Sequence, residues 1–593
     1  MGQQVYVEYV VIAVYFLIML ATAFVFQRYN NKFSDYFRSG SQGTWWLVGS
    51  SIFMASFTAW TYTGAVGVAY ESGITISLIY LANALGYGLN AVLTARWFRQ
   101  LRATTYPEVV RARFGTWTQQ FYIYVGILPG ILMASLTLWG VALFTSAVFG
   151  LDQTMLIVGV GVVVLVYSVV GGLWAVMATD FLQALILVPM TVLVAVLSLG
   201  AVGGIDGLIS EIGAQGHPEM LQLFDRGPEA TYTPVWASAF LVFVVISYNS
   251  IGSSVKFFSC KDGREASRAS ALAAVLMLLG SVLWIIPPMV ARLRFSEFVD
   301  AQPLTKPAEA AYAVVAMRLL PAGMTGMIVV AMFAATMSSL STIFNQFAGI
   351  MTQDVYKPFL RPKASERELF VAGRVATVVV GAAIVAMAVH LSRRSGGALF
   401  DSMLLFGSLL GTPMVVPLFL VLFIRRTPPW SAVASVCAGL AASLLAYTME
   451  FGYAATVFSV TGTSTAGYLA TMPFWGRTPP EYQRKVAEFH EKMRTPVDFE
   501  AEVGSCNDSA QLRLIGRLAC VIGGFLFLLI AVPNPLAGRF QIAIVSLCVF
   551  AFGCVMVFAS RRASGGSDCP QAQAADAHHQ DGKELPPCAP NQE

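Results

Sequence analysis

Charged side chains are scarce in this sequence. Asp, Glu, Lys and Arg supply 12% of its 593 residues, whereas the hydrophobic residue types supply 56%. Soluble globular domains carry about 25% charged residues, so this composition excludes an ordinary soluble protein. The net charge of +4 is small for a chain of this length and does not predict a nucleic-acid partner. The composition instead predicts an all-α polytopic membrane protein, with the lipid bilayer as its surroundings.

The sequence also lacks the usual marks of a covalent or metal site. Its eight cysteines are scattered and form no C-x-x-C pair, so neither a disulfide framework nor a zinc site is predicted. No group of residues is typical of a catalytic site, and we expect no enzyme activity. Nothing in the sequence indicates an obligatory protein partner. The first apolar run lacks a basic amino-terminal region and an A-x-A cleavage motif, so it is interpreted as a retained helix.

Long apolar stretches, in contrast, recur along the whole chain. Each can cross about 30 Å of hydrocarbon. We expect about 15 transmembrane helices, near residues 5–25, 45–70, 75–95, 120–148, 154–172, 179–199, 235–256, 270–291, 312–350, 370–390, 399–424, 430–449, 454–473, 514–532 and 540–560.

Basic residues indicate how the chain crosses the membrane. With the amino terminus outside, most of the 37 Lys and Arg residues fall on the cytoplasmic side. We therefore expect a multi-pass protein of the plasma (inner) membrane with a cytoplasmic carboxyl terminus. Residues 476–512 are predicted to form a cytoplasmic loop with one amphipathic helix, lying on the membrane or on the protein's own inner face. Residues 563–593 have too few apolar side chains to fold and are predicted to be a disordered cytoplasmic tail.

Two predicted helices carry interruptions at membrane depth. Residues 50–73 read SSIFMASFTAWTYTGAVGVAYESG, and residues 243–258 read FVVISYNSIGSSVKFF. Unwound backbone inside a membrane is tolerated only where it lines a cavity or is buried in protein, although close helix packing would also explain the small residues. Two interruptions five helices apart predict a five-plus-five inverted repeat, with substrate and cations bound beside both breaks.

A third feature is the polar arc in FAATMSSLSTIFNQ, residues 333–346. Ser, Thr, Asn and Gln occupy one side of this predicted helix, and apolar residues fill the rest. The arc is consistent with close helix packing or with hydroxyl ligands for a cation about the size of Na⁺. Asp180 is similarly ambiguous, since it could cap a helix, but a carboxylate inside a membrane calls for a partner.

Together these segments resemble the sodium:solute symporter family. The resemblance is carried by GGLWAVMATDFLQ (171–183), AATMSSLSTIFN (334–345) continuing into TQDVYKPF (352–359), and YPEVVRARFG (106–115). It implies a sodium-coupled symporter that imports a small organic solute by alternating access, with Na⁺ as the coupling ion. The resemblance covers roughly residues 30–430 and implies core repeats near 45–200 and 235–424, within a transmembrane domain of residues 1–562.

The resemblance also implies ligands for sodium. The common site would use the carbonyl groups of Met54, Phe57 and Ala335 and the hydroxyl groups of Ser338 and Ser339. Some relatives resemble a two-sodium arrangement. In this sequence its ligands would be Asp180, Ser338, Ser341 and Thr342.

The solute is less well specified. Where glucose-type members present Asn, Tyr and Gln, this sequence has Phe243, Ile246 and Leu405, which argues against a glucose-type pocket. The expected solute contacts are aromatic and neutral polar residues at the two breaks, namely Thr58, Trp60, Thr61, Tyr62, Ser247, Tyr248 and Asn249. Two alternatives remain open at this point, a transporter-like membrane sensor and a sodium-independent exchanger on the same fold.

Overall fold

The computed structural model describes residues 2–27, 41–225, 230–302, 304, 306–394, 399–502 and 508–566. These residues form helices joined by short connections and contain no β-strand, apart from an isolated bridge between Gly43 and Cys260. The predicted all-α class is therefore confirmed. Most of the predicted tail, from residue 567 on, lies outside the described residues.

The helices follow one another closely along the chain. The amino-terminal α-helices are Gly2–Gln27, Trp45–Ser56, Ala59–Tyr62, Gly64–Ser72, Ser77–Val92, Ala95–Gln100, Tyr106–Phe114, Thr116–Phe149, Gln153–Ala201 and Gly204–Ala214. The central α-helices are Pro234–Tyr248, Gly263–Leu283, Ile286–Arg294, Ser296–Asp300, Ala311–Leu319, Met324–Ile350, Glu366–Arg394, Leu399–Phe406 and Thr412–Leu420. The last α-helices are Ser431–Thr448, Tyr453–Leu469, Pro480–Arg494, Phe499–Glu502, Asp508–Leu528 and Leu536–Gly566. Short 3₁₀ and π segments lie between them, including Gly73–Ile76, Ile251–Ser253, Phe257–Ser259, Pro307–Ala310, Met351–Leu360 and Gly407–Gly411.

Among the described residues, eleven helical stretches are long and apolar enough to cross a bilayer. Three further apolar helices are shorter, and two of these, Trp45–Ser56 and Pro234–Tyr248, are parts of interrupted helices. This count does not confirm the predicted number of fifteen. The helix Met324–Ile350, here called the Ser-rich helix, belongs to the most completely buried of the eleven stretches. It therefore lies at the centre of the protein.

Two predicted boundaries differ from the structure. The apolar stretch 312–350 is two helices, because Pro321 lacks an amide hydrogen and Gly323 has a φ of 89°. The stretches 154–172 and 179–199 belong to one helical segment, Gln153–Ala201. Tyr167 and Thr179 would lie about 18 Å apart along a straight helix. Their hydroxyl groups are hydrogen bonded to each other, so this segment bends sharply between them.

Both predicted interruptions are present. The first broken helix consists of Trp45–Ser56, Ala59–Tyr62 and Gly64–Ser72. It is followed by the helix Ser77–Val92 and by three membrane-crossing stretches, Thr116–Phe149, Gln153–Val170 and Val176–Ala201. The second interruption comes next, at the end of Pro234–Tyr248. Each broken helix therefore opens one half of a five-plus-five inverted repeat, and the Ser-rich helix is the third helix of the second half.

The amino-terminal helix Gly2–Gln27 holds the Ser-rich helix in place. The Glu8 carboxylate accepts hydrogen bonds from the backbone amides of Gly323, at 2.7 Å, and Gly326. These amides lie at the amino end of the Ser-rich helix, where the first turn lacks intrahelical acceptors and the helix dipole favours negative charge. Farther along, the Tyr15 hydroxyl lies 3.9 Å from the Met337 sulfur.

The predicted amphipathic helix in the loop 476–512 is Pro480–Arg494. Its apolar side is buried against the protein, with Val486 3% exposed and Met493 fully buried. The His490 ring contacts the Val421 carbonyl at 3.2 Å, and burial lowers the pKa of His490. The helix was predicted to lie either on the membrane or on the protein's own inner face, and in the structure it packs on the protein's own surface.

Candidate functional site

The first break begins where an α-helix ends at Ser56. Phe57 and Thr58 have extended backbone angles, with ψ of 104° and 175°. The Thr58 hydroxyl then accepts a hydrogen bond from the Trp60 amide at 3.3 Å and caps the next short helix. A helix that ends inside the protein leaves its last carbonyl groups without intrahelical donors. These carbonyls, from Met54 onward, are available to other donors or to a cation.

The Ser-rich helix meets this break through Ser339. The Ser339 hydroxyl lies 2.9 Å from the carbonyl oxygen of Ala55 and 3.2 Å from that of Ala335. Ala55 lies between Met54 and Phe57, the two predicted sodium ligands. The sequence prediction did not include Ala55, because the residue pattern does not specify where the helix ends.

Ser338, the neighbouring predicted ligand, occupies a different position. Its side chain is buried, with 1% of its surface exposed. The Asp180 carboxylate lies beside it. Ser338 thus lies between the two predicted sodium sites.

At the predicted second site the structure places a residue that the sequence prediction did not include. Lys256 donates to the Asp180 Oδ2 atom at 3.3 Å and to the Ser51 carbonyl oxygen at 2.6 Å. The Ser51 hydroxyl donates to the same carboxylate oxygen. A lysine in the interrupted stretch SSVKFF is rare at membrane depth, and this was the signal available in the sequence.

The two other residues predicted for the second sodium do not reach Asp180 with hydrogen bonds. The Ser341 and Thr342 hydroxyls both donate to the Ser338 carbonyl oxygen, at 3.1 and 2.8 Å. Ser and Thr hydroxyls in helices commonly bond a carbonyl one turn earlier. A second sodium with these ligands stays a prediction.

The rest of the polar arc faces a small cavity. Its lining includes Thr342, Asn345 and Gln346 from the Ser-rich helix, together with Lys256 and Thr105. Both polar atoms of the Asn345 amide are buried and without a hydrogen-bond partner among the described residues. The arc that was unexplained in the sequence therefore lies against the first break at one end and a polar cavity at the other.

The predicted solute contacts on the first broken helix fall into two groups. Trp60 is half-buried and stacks on Phe400, with ring centroids 5.5 Å apart. Its indole nitrogen is buried and has no partner among the described residues. Thr61 and Tyr62 are buried, and the Tyr62 hydroxyl is bonded to Thr191 at 3.0 Å. Trp60 is therefore better placed than Tyr62 to contact a solute.

The predicted solute contacts at the second break also fall into two groups. The Ser247 hydroxyl is buried and unpartnered among the described residues. Tyr248 stacks on Tyr87 at 4.2 Å. Asn249 is fully buried, accepting a hydrogen bond from Thr94 at 2.6 Å and donating to the Val245 carbonyl oxygen at 2.9 Å. These bonds hold the unwound backbone in place.

Two of the segments that carried the family resemblance are connected in the structure. Asp354, from TQDVYKPF, accepts hydrogen bonds from Thr105 at 2.6 Å and from Gln119 at 2.7 Å. Thr105 in turn caps the helix Tyr106–Phe114 by accepting a hydrogen bond from Glu108. This buried network joins the third helices of the two repeats.

Comparison with known proteins agrees with this geometry. The family model of the sodium:solute symporter family matches residues 36–439. The chain belongs to the sodium:solute symporter family. The human sodium/myo-inositol cotransporter 2 is 29% identical over 482 residues, covering 75% of this chain and 70% of the relative. The Bos taurus sodium/mannose cotransporter is 28% identical, covering 75% and 79%, and the Rattus norvegicus sodium/glucose cotransporter 2 is 26% identical, covering 75% and 72%.

Solved structures show the same fold. A Na⁺-coupled sialic acid symporter in a substrate-bound outward-open state is similar with a TM-score of 0.67 at 20% identity, covering 80% of this chain and 98% of that one. Mhp1, a nucleobase-cation-symport-1 family transporter, is similar with a TM-score of 0.52 at 15% identity, covering 77% and 98%. As a member of the sodium:solute symporter family, the protein is a multi-pass membrane symporter with Na⁺ as its coupling ion and a small organic solute as its cargo.

Proposed function

We propose that the coupling sodium ion binds between the first broken helix and the Ser-rich helix. Its ligands are the carbonyl oxygens of Met54, Phe57 and Ala335 and the hydroxyl oxygens of Ser338 and Ser339. The observation that carries this proposal is the Ser339 hydroxyl, which lies within hydrogen-bond distance of the Ala55 and Ala335 carbonyl oxygens. Hydroxyl and carbonyl oxygens are hard ligands and suit a hard cation.

The solute is proposed to bind between the two breaks. Trp60 and Tyr248 offer aromatic faces there, and the Trp60 indole nitrogen and the Ser247 hydroxyl offer hydrogen bonds. Thr58 has its hydroxyl at the same break. Thr61, Tyr62 and Asn249 then act as positioning residues, since the described bonds of Tyr62 and Asn249 are to the protein itself.

The charge of the residues at the two breaks indicates the class of solute. Residues 56–64 and 243–254 contain no Asp, Glu, Lys, Arg or His. Burying an unpaired charge at such a place would be costly, so the proposed solute is small, polar and uncharged, such as a cyclitol or a monosaccharide. The relatives that carry myo-inositol, mannose or glucose in their names support this class. Phe243, Ile246 and Leu405 stand where glucose-type members present Asn, Tyr and Gln, so the solute is proposed to be held differently from the glucose-type arrangement.

The proposed orientation places the amino terminus outside and the carboxyl terminus in the cytoplasm of a cell with an energised plasma membrane. One Na⁺ entering across about 100 mV down a tenfold gradient releases roughly 3.7 kcal/mol, which concentrates a neutral solute about 500-fold. The core repeats near 45–200 and 235–424 would rock against each other around the two breaks to give alternating access.

Uptake into proteoliposomes tests the proposal. Radiolabelled myo-inositol, mannose, glucose and proline are each offered with an inward Na⁺ gradient, and with choline replacing Na⁺. We expect sodium-dependent uptake of at least one uncharged polyhydroxylated solute and none of proline. Uptake that ignores Na⁺ would support the exchanger alternative, and sodium-dependent uptake of proline alone would refute the solute class.

A further inference from the structure

A buried ion pair lies beside the proposed sodium site. Lys256 is 6% exposed and Asp180 is 1% exposed. The Lys256 ammonium nitrogen lies 2.6 Å from both the carbonyl and the hydroxyl oxygen of Ser51 and 3.3 Å from Asp180 Oδ2. An ammonium group has three hydrogen-bond donors, and here three oxygen atoms surround it.

The pair joins three parts of the transport core. Ser51 lies one turn before the first break, Asp180 lies after the bend in Gln153–Ala201, and Lys256 follows the second break. Lys256 also lines the polar cavity next to Thr342. The positive charge of the lysine thus stands where the family resemblance placed a second cation.

A buried carboxylate needs a compensating positive charge. A sodium ion or a tethered ammonium group can each supply it. We propose that the Lys256 ammonium is the resident cation of Asp180 and takes the place of a second sodium ion, so that each transport cycle uses one Na⁺. This inference rests on the proposed sodium site at Ser338 and Ser339.

Electrostatic repulsion opposes the binding of a sodium ion to Asp180 while the Lys256 ammonium group is beside it. A sodium ion bound to the other Asp180 oxygen would lie about 5 Å from the ammonium nitrogen. At an effective dielectric constant near 20, repulsion over that distance weakens binding by about two orders of magnitude.

Equilibrium binding of ²²Na⁺ to the purified full-length protein tests the inference without any solute. The wild type should bind one ion per chain. Lys256→Gln removes the charge and should open a second site, so that two ions bind, whereas Lys256→Arg keeps the charge and should bind one. Asp180→Asn combined with Lys256→Gln should return the count to one.

Two ions bound by the wild type, or fewer than two bound by monodisperse Lys256→Gln, would overturn the inference. If Lys256→Gln is not recovered as monodisperse protein, the wild-type count decides, with one ion supporting the inference and two refuting it. Failure of the proposed sodium site is a separate result. In that case the wild type binds no ion, or Ser339→Ala leaves its affinity for ²²Na⁺ unchanged.

Discussion

Removing the Ser339 hydroxyl is the most direct test of the sodium site. Ser339→Ala deletes one of five proposed ligand oxygens, the one found 2.9 Å from the Ala55 carbonyl oxygen. A polar contact with a charged group contributes about 1.5–3 kcal/mol. The sodium concentration for half-maximal binding or transport should therefore rise roughly 10- to 150-fold.

The same substitution should affect folding much less. The hydroxyl has one hydrogen to donate to the Ala55 or the Ala335 carbonyl oxygen, and a neutral hydrogen bond contributes only about 1 kcal/mol. A matched control is Ser546→Ala in the last helix. The buried Ser546 hydroxyl donates to the Ile542 carbonyl oxygen at 2.7 Å, one turn earlier, so its loss should leave sodium dependence unchanged.

The assay is sodium-dependent uptake into proteoliposomes over a wide range of Na⁺ concentrations, with thermal unfolding measured on the same preparations. Ser339→Thr restores a hydroxyl and should recover part of the affinity. An unchanged half-saturating sodium concentration in correctly inserted Ser339→Ala protein would remove this hydroxyl from the site.

Three further predictions follow from contacts near the two breaks. Trp60→Ala should weaken solute affinity at least tenfold, because stacking and hydrogen bonding are lost. Trp117 is exposed, so the control variant Trp117→Ala should bind the solute as the wild type does. If a competition assay gives Trp60→Ala the same solute affinity as the wild type, the pocket lies elsewhere. Asn249→Ala should lower the free energy of unfolding by about 2–4 kcal/mol, because the buried groups that Asn249 contacts lose their hydrogen-bond partner. A fall in solute affinity at unchanged melting temperature would instead make Asn249 a solute contact. Burial raises the pKa of Glu309 to about 7. The folded state then binds a proton more tightly than the unfolded state, and the contribution of Glu309 to stability is lost as pH rises from about 4.5 to about 7. In Glu309→Gln the melting temperature should therefore depend less on pH between about 4.5 and about 7. The same pH dependence in the variant and the wild type would show that Glu309 is not the titrating group.

The proposed site explains why sodium binding changes the arrangement of the repeats. The carbonyl ligands Met54 and Phe57 come from the first half of the inverted repeat. The Ala335 carbonyl and the two hydroxyl ligands come from the Ser-rich helix of the second half. A cation held by both halves binds well only where they are close together, so its binding favours that arrangement. In this structure the Lys256–Asp180 pair also links the second broken helix to the first half.

Several features could be predicted from the sequence because local physical chemistry decides them. A chain with 12% charged residues and repeated long apolar stretches must lie in a membrane and must be helical there. The first break was visible because Thr58 and Gly64 favour the cap and turn geometry that the structure shows at both ends of Ala59–Tyr62. The polar arc located the Ser-rich helix as the partner of that break.

Other features depended on contacts between residues far apart in the chain, which no local pattern specifies. The sharp bend in Gln153–Ala201 brings Asp180 to Ser51, and only the fold places Lys256 beside them. The same is true of the bonds of Tyr62 and Asn249, two predicted solute contacts, to Thr191 and Thr94. A side chain's type is fixed by sequence, but its partner is fixed by packing, because a buried polar group takes whichever partner the tertiary structure brings within about 3 Å.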